Sequence, residues 1–141
     1  MLKHLLLASL ATAAVAGIGY AAQPNTVTIP VRSEPATNGR QMYVGYCAPC
    51  HGMDGRGNGP VASSLRTPPT DLTQFSKNNH GKFPVNHIMT VLQFGASVPA
   101  HGTAGMPVWG QVFDRMNVSE PQVRMLRISN LSRYLETIQA K

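Results

Sequence analysis

The 141-residue sequence is short of cysteine, charge and aromatic side chains, with two Cys, one Trp, 13% charged and 6% aromatic residues. Two cysteines cannot build a disulfide scaffold. The charged fraction lies far below the roughly 25% of an average soluble chain. Acids are scarcer than bases, six against 12, which gives a formal charge of +6 with His neutral. The positive charges are spread along the chain with no basic stripe and no recognition motif, which excludes a nucleic-acid binder. No glycine period and no sustained heptads are present, which excludes collagen-like and coiled-coil chains. No self-similarity at solenoid periods is present either. No alternating pattern long enough for a sheet survives anywhere. The length suits one domain and is too short for two ordinary ones.

What is plentiful is Gly (13) and Pro (11), and therefore loop. The start of the chain reads as an address. Lys3 and His4 precede an uncharged run from Leu5 to Gly19, followed by small residues up to Ala21 and Ala22. This is the order of a secretory signal: basic start, apolar run, small-residue cleavage site. The apolar run is about 15–18 residues, short of the roughly 20 that span a bilayer. Residues 1–22 are therefore expected to be a cleaved signal peptide, and a membrane link arises only if they are retained. Residues 23–32 read as an N-terminal arm without helical period, and 33–141 as the folded domain.

Three helices are expected. The first runs from Pro35 to about Tyr46, capped by Ser33-Glu34-Pro35. Gly39, Met42, Tyr43 and Tyr46 share one of its faces, and a helical Gly, costing roughly 1 kcal/mol against Ala, implies a close neighbour. The second covers about Val85–Phe94, with Ile88, Val91 and Leu92 inward and Gly95 as its stop. The last runs from Ser119-Glu120-Pro121-Gln122, a capping box, to about Gln139. Its apolar stripe is Val123, Leu126, Leu131, Tyr134, Leu135 and Ile138, with Arg124, Arg127, Arg133 and Glu136 mostly off it. A short turn of helix is expected at Val108–Arg115. The intervening segments, Gly52–Thr70 and Ala96–Pro107, are long for a small domain unless they wrap something.

Cys47-Ala48-Pro49-Cys50-His51 supplies that something. Cys-x-x-Cys-His is the attachment signature of c-type haem. Thiols three residues apart reach the two vinyl groups of one porphyrin, and the next residue, His51, is held beneath the iron as an axial ligand. A thioredoxin-like pair would need a βαβ context, and none is visible. A structural zinc site would need four ligands, and His80, His87 and His101 lack finger-like spacing. Candidates for the second axial ligand are Met89, Met106, Met116, Met125, His80, His87 and His101. Met89 and Met125 fall inside helices. Met106 sits in a loop with Pro107 fixing the backbone behind it, and its thioether would favour ferrous iron. His101 is the alternative. Arg56 and Arg66 suit propionate carboxylates or are solvated loop charges, and Trp109 and Phe113 suit haem packing.

From Ala36 to Gln139 the chain resembles the class I monohaem cytochromes c of bacterial periplasms. Gly39, Tyr43 and Cys47 are spaced as in that family's N-terminal helix, and Leu131 and Tyr134 as in its C-terminal helix. The resemblance implies an all-α fold in which these helices cross, Gly39 packing near Tyr134, while loops wrap one covalent haem c. It implies that the carbonyl of Pro60 accepts the His51 Nδ1–H and so orients the ligand. It further implies one-electron carriage in the periplasm between redox partner proteins, with no catalytic residues, or alternatively service as the haem subunit of a periplasmic dehydrogenase. The Pro68-Pro69-Thr70-Asp71-Leu72 stretch and Trp109 are similar to a subgroup found with periplasmic oxidoreductases, and a terminal oxidase is another partner of that kind. A haem enzyme or gas-binding protein would instead leave the iron open. Haem is expected to stand in for a missing apolar core.

Overall fold

A computed structural model describes residues 32–96 and 105–141. The expected signal (1–22), nearly all of the arm and His101 lie outside the described residues. Among the described residues the fold is all-α, without strands, and no helix is long and apolar enough to cross a membrane.

The first helix begins at Gly39, four residues later than the sequence suggests. α1 (Gly39–Met42) passes into a π-helical stretch (Tyr43–Cys47) and then α2 (Ala48–His51). Asn38 caps it, its Oδ1 accepting from the Gln41 N–H at 2.9 Å. Ser33 and Glu34 are drawn off by long-range partners: the Glu34 N–H donates to the Tyr46 hydroxyl at 2.7 Å, and its carbonyl accepts from Arg127. The π stretch precedes Pro49, which has no N–H and whose ring would clash with the carbonyl four residues back. The wider turn closes on Tyr43 instead, whose carbonyl accepts from the Ala48 N–H. Gly52, at φ 80°, ends the helix.

Further on come α3 (Phe75–Asn78), α4 (Val85–Phe94), α5 (Trp109–Met116) and α6 (Gln122–Thr137), with single 3₁₀ turns at Ala62–Ser64 and Leu72–Gln74. α4 matches the expected span, with Ile88 and Leu92 buried and Gly95 closing it at φ 85°. α6 starts without a side-chain cap, so the expected Ser119 box does not form. Its inward face also sits in a different register. Arg127, Ile128, Leu131, Ser132 and Leu135 are buried, while Leu126 is 43% exposed.

α1 and α6 cross where the expected glycine lies. A Cβ on Gly39 would stand 2.2 Å from the Asn130 carbonyl oxygen and 3.0 Å from Tyr134 Cβ. The Tyr43 and Tyr134 rings follow at 5.1 Å. α5 packs on the end of α4 as closely, since a Cβ on Gly110 would meet the Gln93 carbonyl at 2.3 Å. Around these crossings Met42, Tyr43, Phe113, Ile128 and Leu131 are fully buried. The expectation that the chain lacks an apolar core is thus corrected: among the described residues the helices form one of their own.

Candidate functional site

Cys47, Cys50 and His51 stand one helical turn apart, at i, i+3 and i+4, so they share one side of the helix. Cys47 is buried, Cys50 half-buried, and both thiols are free. Burial, reinforced by the neighbouring Cys50, pushes the Cys47 thiol up to about 12. Burial raises Cys50 as well. Redox-active Cys-x-x-Cys pairs depend on lowered thiol values, opposite to the direction that burial gives these two. Among the described residues no three His, Cys, Asp or Glu side chains converge as a metal cluster.

The loop after His51 folds back along α2. The N–H groups of Gly57, Gly59 and Val61 donate to the carbonyls of His51, Cys50 and Pro49 at 2.8, 3.1 and 3.1 Å. This ladder is possible because Gly57 and Gly59 leave no side chain in the way. A Cβ on Gly59 would meet the Pro49 carbonyl oxygen at 2.4 Å, and one on Gly57 the Pro69 carbonyl oxygen at 2.3 Å. The second contact brings the 69–72 segment against the loop, and the Leu72 N–H fixes it by donating to the Gly55 carbonyl at 2.7 Å.

That arrangement decides the orientation of His51, and it corrects one expectation. The His51 Nδ1 lies 2.9 Å from the carbonyl oxygen of Thr70, not of Pro60. The ladder holds Pro60 out beside Pro49 and Cys50, exposed, whereas the 69–72 segment lies level with the ring. A carbonyl only accepts, so Nδ1 carries the proton and Nε2 keeps its lone pair free for a metal. Burial lowers the His51 value, and the Thr70 bond opposes that shift. The sequence signal for Thr70 was present in the Pro68-Pro69-Thr70-Asp71 stretch, though nothing local shows that it returns to the histidine.

A second bond fixes the same turn. The Tyr43 hydroxyl donates to the Gly52 carbonyl at 2.7 Å within the core. Tyr43 enters the sequence reading only as a helix-face residue. Its bond spans the helix from the π stretch to the residue after His51.

Met106 stands two residues before Val108, the N-cap of α5, and is 37% exposed. Trp109 anchors that end of the loop. It is buried and stacks on Tyr46 at 5.3 Å, with Phe113 at 5.7 Å from both rings. Tyr46 adjoins Cys47, and three residues span at most about 11 Å of chain. Met106 is thereby tethered to the neighbourhood of the Cys47 turn. The other candidate ligands are placed less favourably. Met89 and Met116 pack against the core. His80 lies in the exposed turn after α3 and His87 on the exposed face of α4, while Met125 is exposed on α6. Arg56 is exposed and pairs with Asp54 at 3.5 Å, and Arg66 is exposed on the loop after the first 3₁₀ turn.

The residues present fit a covalent haem. Two thiols and a histidine with a free Nε2 line one side of a helix. Apolar Val61, bonded beside Pro49, is 37% exposed next to it. No protein-family model, no curated protein and no solved structure matches this chain.

Proposed function

We propose that the chain is a periplasmic one-electron carrier in which Cys47 and Cys50 would hold one c-type haem and His51 and Met106 would bind its iron. The observation that carries this reading is the Cys47–Cys50–His51 turn with its imidazole Nδ1–H committed to Thr70. When bound, the haem supplies an iron that gains and loses one electron. The protein's part is to hold geometry. Thr70 fixes the imidazole tautomer and raises its basicity, and Tyr43 pins the carbonyl of the following residue. The ladder from Gly57 to Val61 keeps the attachment helix and its loop in register. The Met106 thioether, bound to that iron, would favour the reduced state. With His51 and Met106 both holding it, the iron would be closed to substrate. Partners dock transiently, over less than about 1,200 Å².

The test is the ferric absorption spectrum of protein secreted from a host that attaches haem, beside Met106→Ala, with both reduced under CO. The expected result is a weak deep-red sulfur-to-iron band lost in the variant, and no CO adduct in the parent. A parent that lacks the band and takes up CO readily overturns the carrier reading in favour of an open-iron protein.

A further inference from the structure

Arg127, in the middle of α6, is 3% exposed. A guanidinium keeps its charge and presents five donors. Removing such a charge from water is costly unless something compensates it. Its NH1 donates to the Glu34 backbone carbonyl and lies 3.7 Å from the Met42 sulfur. Its NH2 donates to the Ser33 Oγ at 3.3 Å and its Nε to the Asn117 Oδ1 at 3.1 Å. Its Cζ sits 5.6 Å above the Phe113 ring. Each partner is a dipole or an aromatic face. Among the described residues no carboxylate lies within ion-pair distance of it. The Glu34 side chain turns to Gly45, where a Cβ would stand 3.2 Å from its Oε1, and Asp114 is taken by Arg124 at 2.8 Å.

A charge solvated only by fixed dipoles keeps its field, and a buried field is screened less than a surface one. Phe113 links the guanidinium to the residue before Cys47. Phe113 contacts Tyr46 at 5.7 Å, and Tyr46 immediately precedes Cys47. Reduction adds one negative charge at the iron, so a buried positive charge nearby favours the reduced state. We infer that Arg127 is an uncompensated internal cation that raises the reduction potential of a haem held on Cys47 and Cys50. This inference rests on the haem reading above.

The decisive variant is Asn117→Asp. It keeps Arg127 and the shape of its Nε partner and adds the missing counter-charge. Asn117→Ala removes the same bond without adding charge. Both are prepared haem-loaded, their covalent haem is verified by the pyridine haemochrome spectrum, and their potentials are measured by redox titration at low and high salt. The expected result is a lower potential in Asn117→Asp that persists at high salt, with Asn117→Ala close to the parent. Equal potentials in all three, or an equal fall in both variants, overturn the inference and leave Arg127 as a latch for residues 33–34. A parent chain without covalent haem overturns the haem reading together with this one.

Discussion

Two side chains at the ends of the Gly52–Asp71 loop carry consequences that single substitutions read out. Tyr43 is fully buried, and burial drives its hydroxyl value well above the ordinary one. Its only change in Tyr43→Phe is loss of the donor to the Gly52 carbonyl. The carbonyl keeps only the longer bond from the Gly55 N–H at 3.3 Å, and losing one buried hydrogen bond costs about 0.5–1.5 kcal/mol. Denaturant unfolding of Tyr43→Phe is expected to show a loss of that size, and an unchanged midpoint would mean that water or another donor replaces the phenol. Asp71 sits at the other end. Its carboxylate accepts from the Thr73 hydroxyl at 2.6 Å and the Thr73 N–H at 2.9 Å. The hydroxyl bond above all holds the carboxyl below its ordinary 3.8. Between 3.8 and the lowered folded value the unfolded chain binds the proton and the folded chain does not. The contribution is therefore complete above the ordinary value and is lost as pH falls through the folded one. In thermal melts across acid pH, Asp71→Asn is expected to lose less stability than the parent below about pH 4; parallel curves would remove Asp71 from the linkage.

At the scale of helices, the crossing of α1 and α6 hangs on one missing side chain. Gly39→Ala would set a Cβ 2.2 Å from the Asn130 carbonyl, against backbone that cannot rotate away. Overpacking of this kind costs about 1–3 kcal/mol. A thermal midpoint equal to the parent would show that the helices can part without loss. That Gly39 has a close helical neighbour was legible in its own helix, whereas the identity of that neighbour, α6 with Tyr134, came from the family resemblance. α4 was legible because its period and its stop at Gly95 are both local. The helix starts were not. Ser33 and Glu34 look like a cap, yet their hydrogen bonds go to Tyr46 and Arg127, that of Ser33 across 94 residues. The register of α6 shifted likewise, since a period count treats Arg127 as outward and only the dipoles of distant segments make its burial tolerable. The attachment turn itself was read from five residues, whereas the acceptor of the His51 proton lies 19 residues on and depends on how the loop returns.

On the scale of the whole molecule, the chain divides into a helical part with its own apolar core and a loop from Gly52 to Asp71 that has little regular structure beyond one 3₁₀ turn. The loop is held chiefly by backbone bonds to His51, Cys50 and Pro49 and by the Thr70 contact to His51. All of these converge on the turn that would carry the haem. A group that binds only the folded chain stabilises it, and the residues that would hold a haem also anchor this loop. Loss of the haem should therefore loosen this loop before the α1–α6 crossing. Arg56 and Arg66 are exposed on it and provide the assay. In a Cys47→Ala, Cys50→Ala chain, trypsin is expected to cut after Arg56 and Arg66 sooner than after Arg127 or Arg133. The haem-loaded parent should resist at the loop under the same conditions, since cleavage follows the population of the opened form when reclosing is fast. Equal cleavage at Arg56 and Arg66 in both proteins would mean that the backbone ladder alone holds the loop.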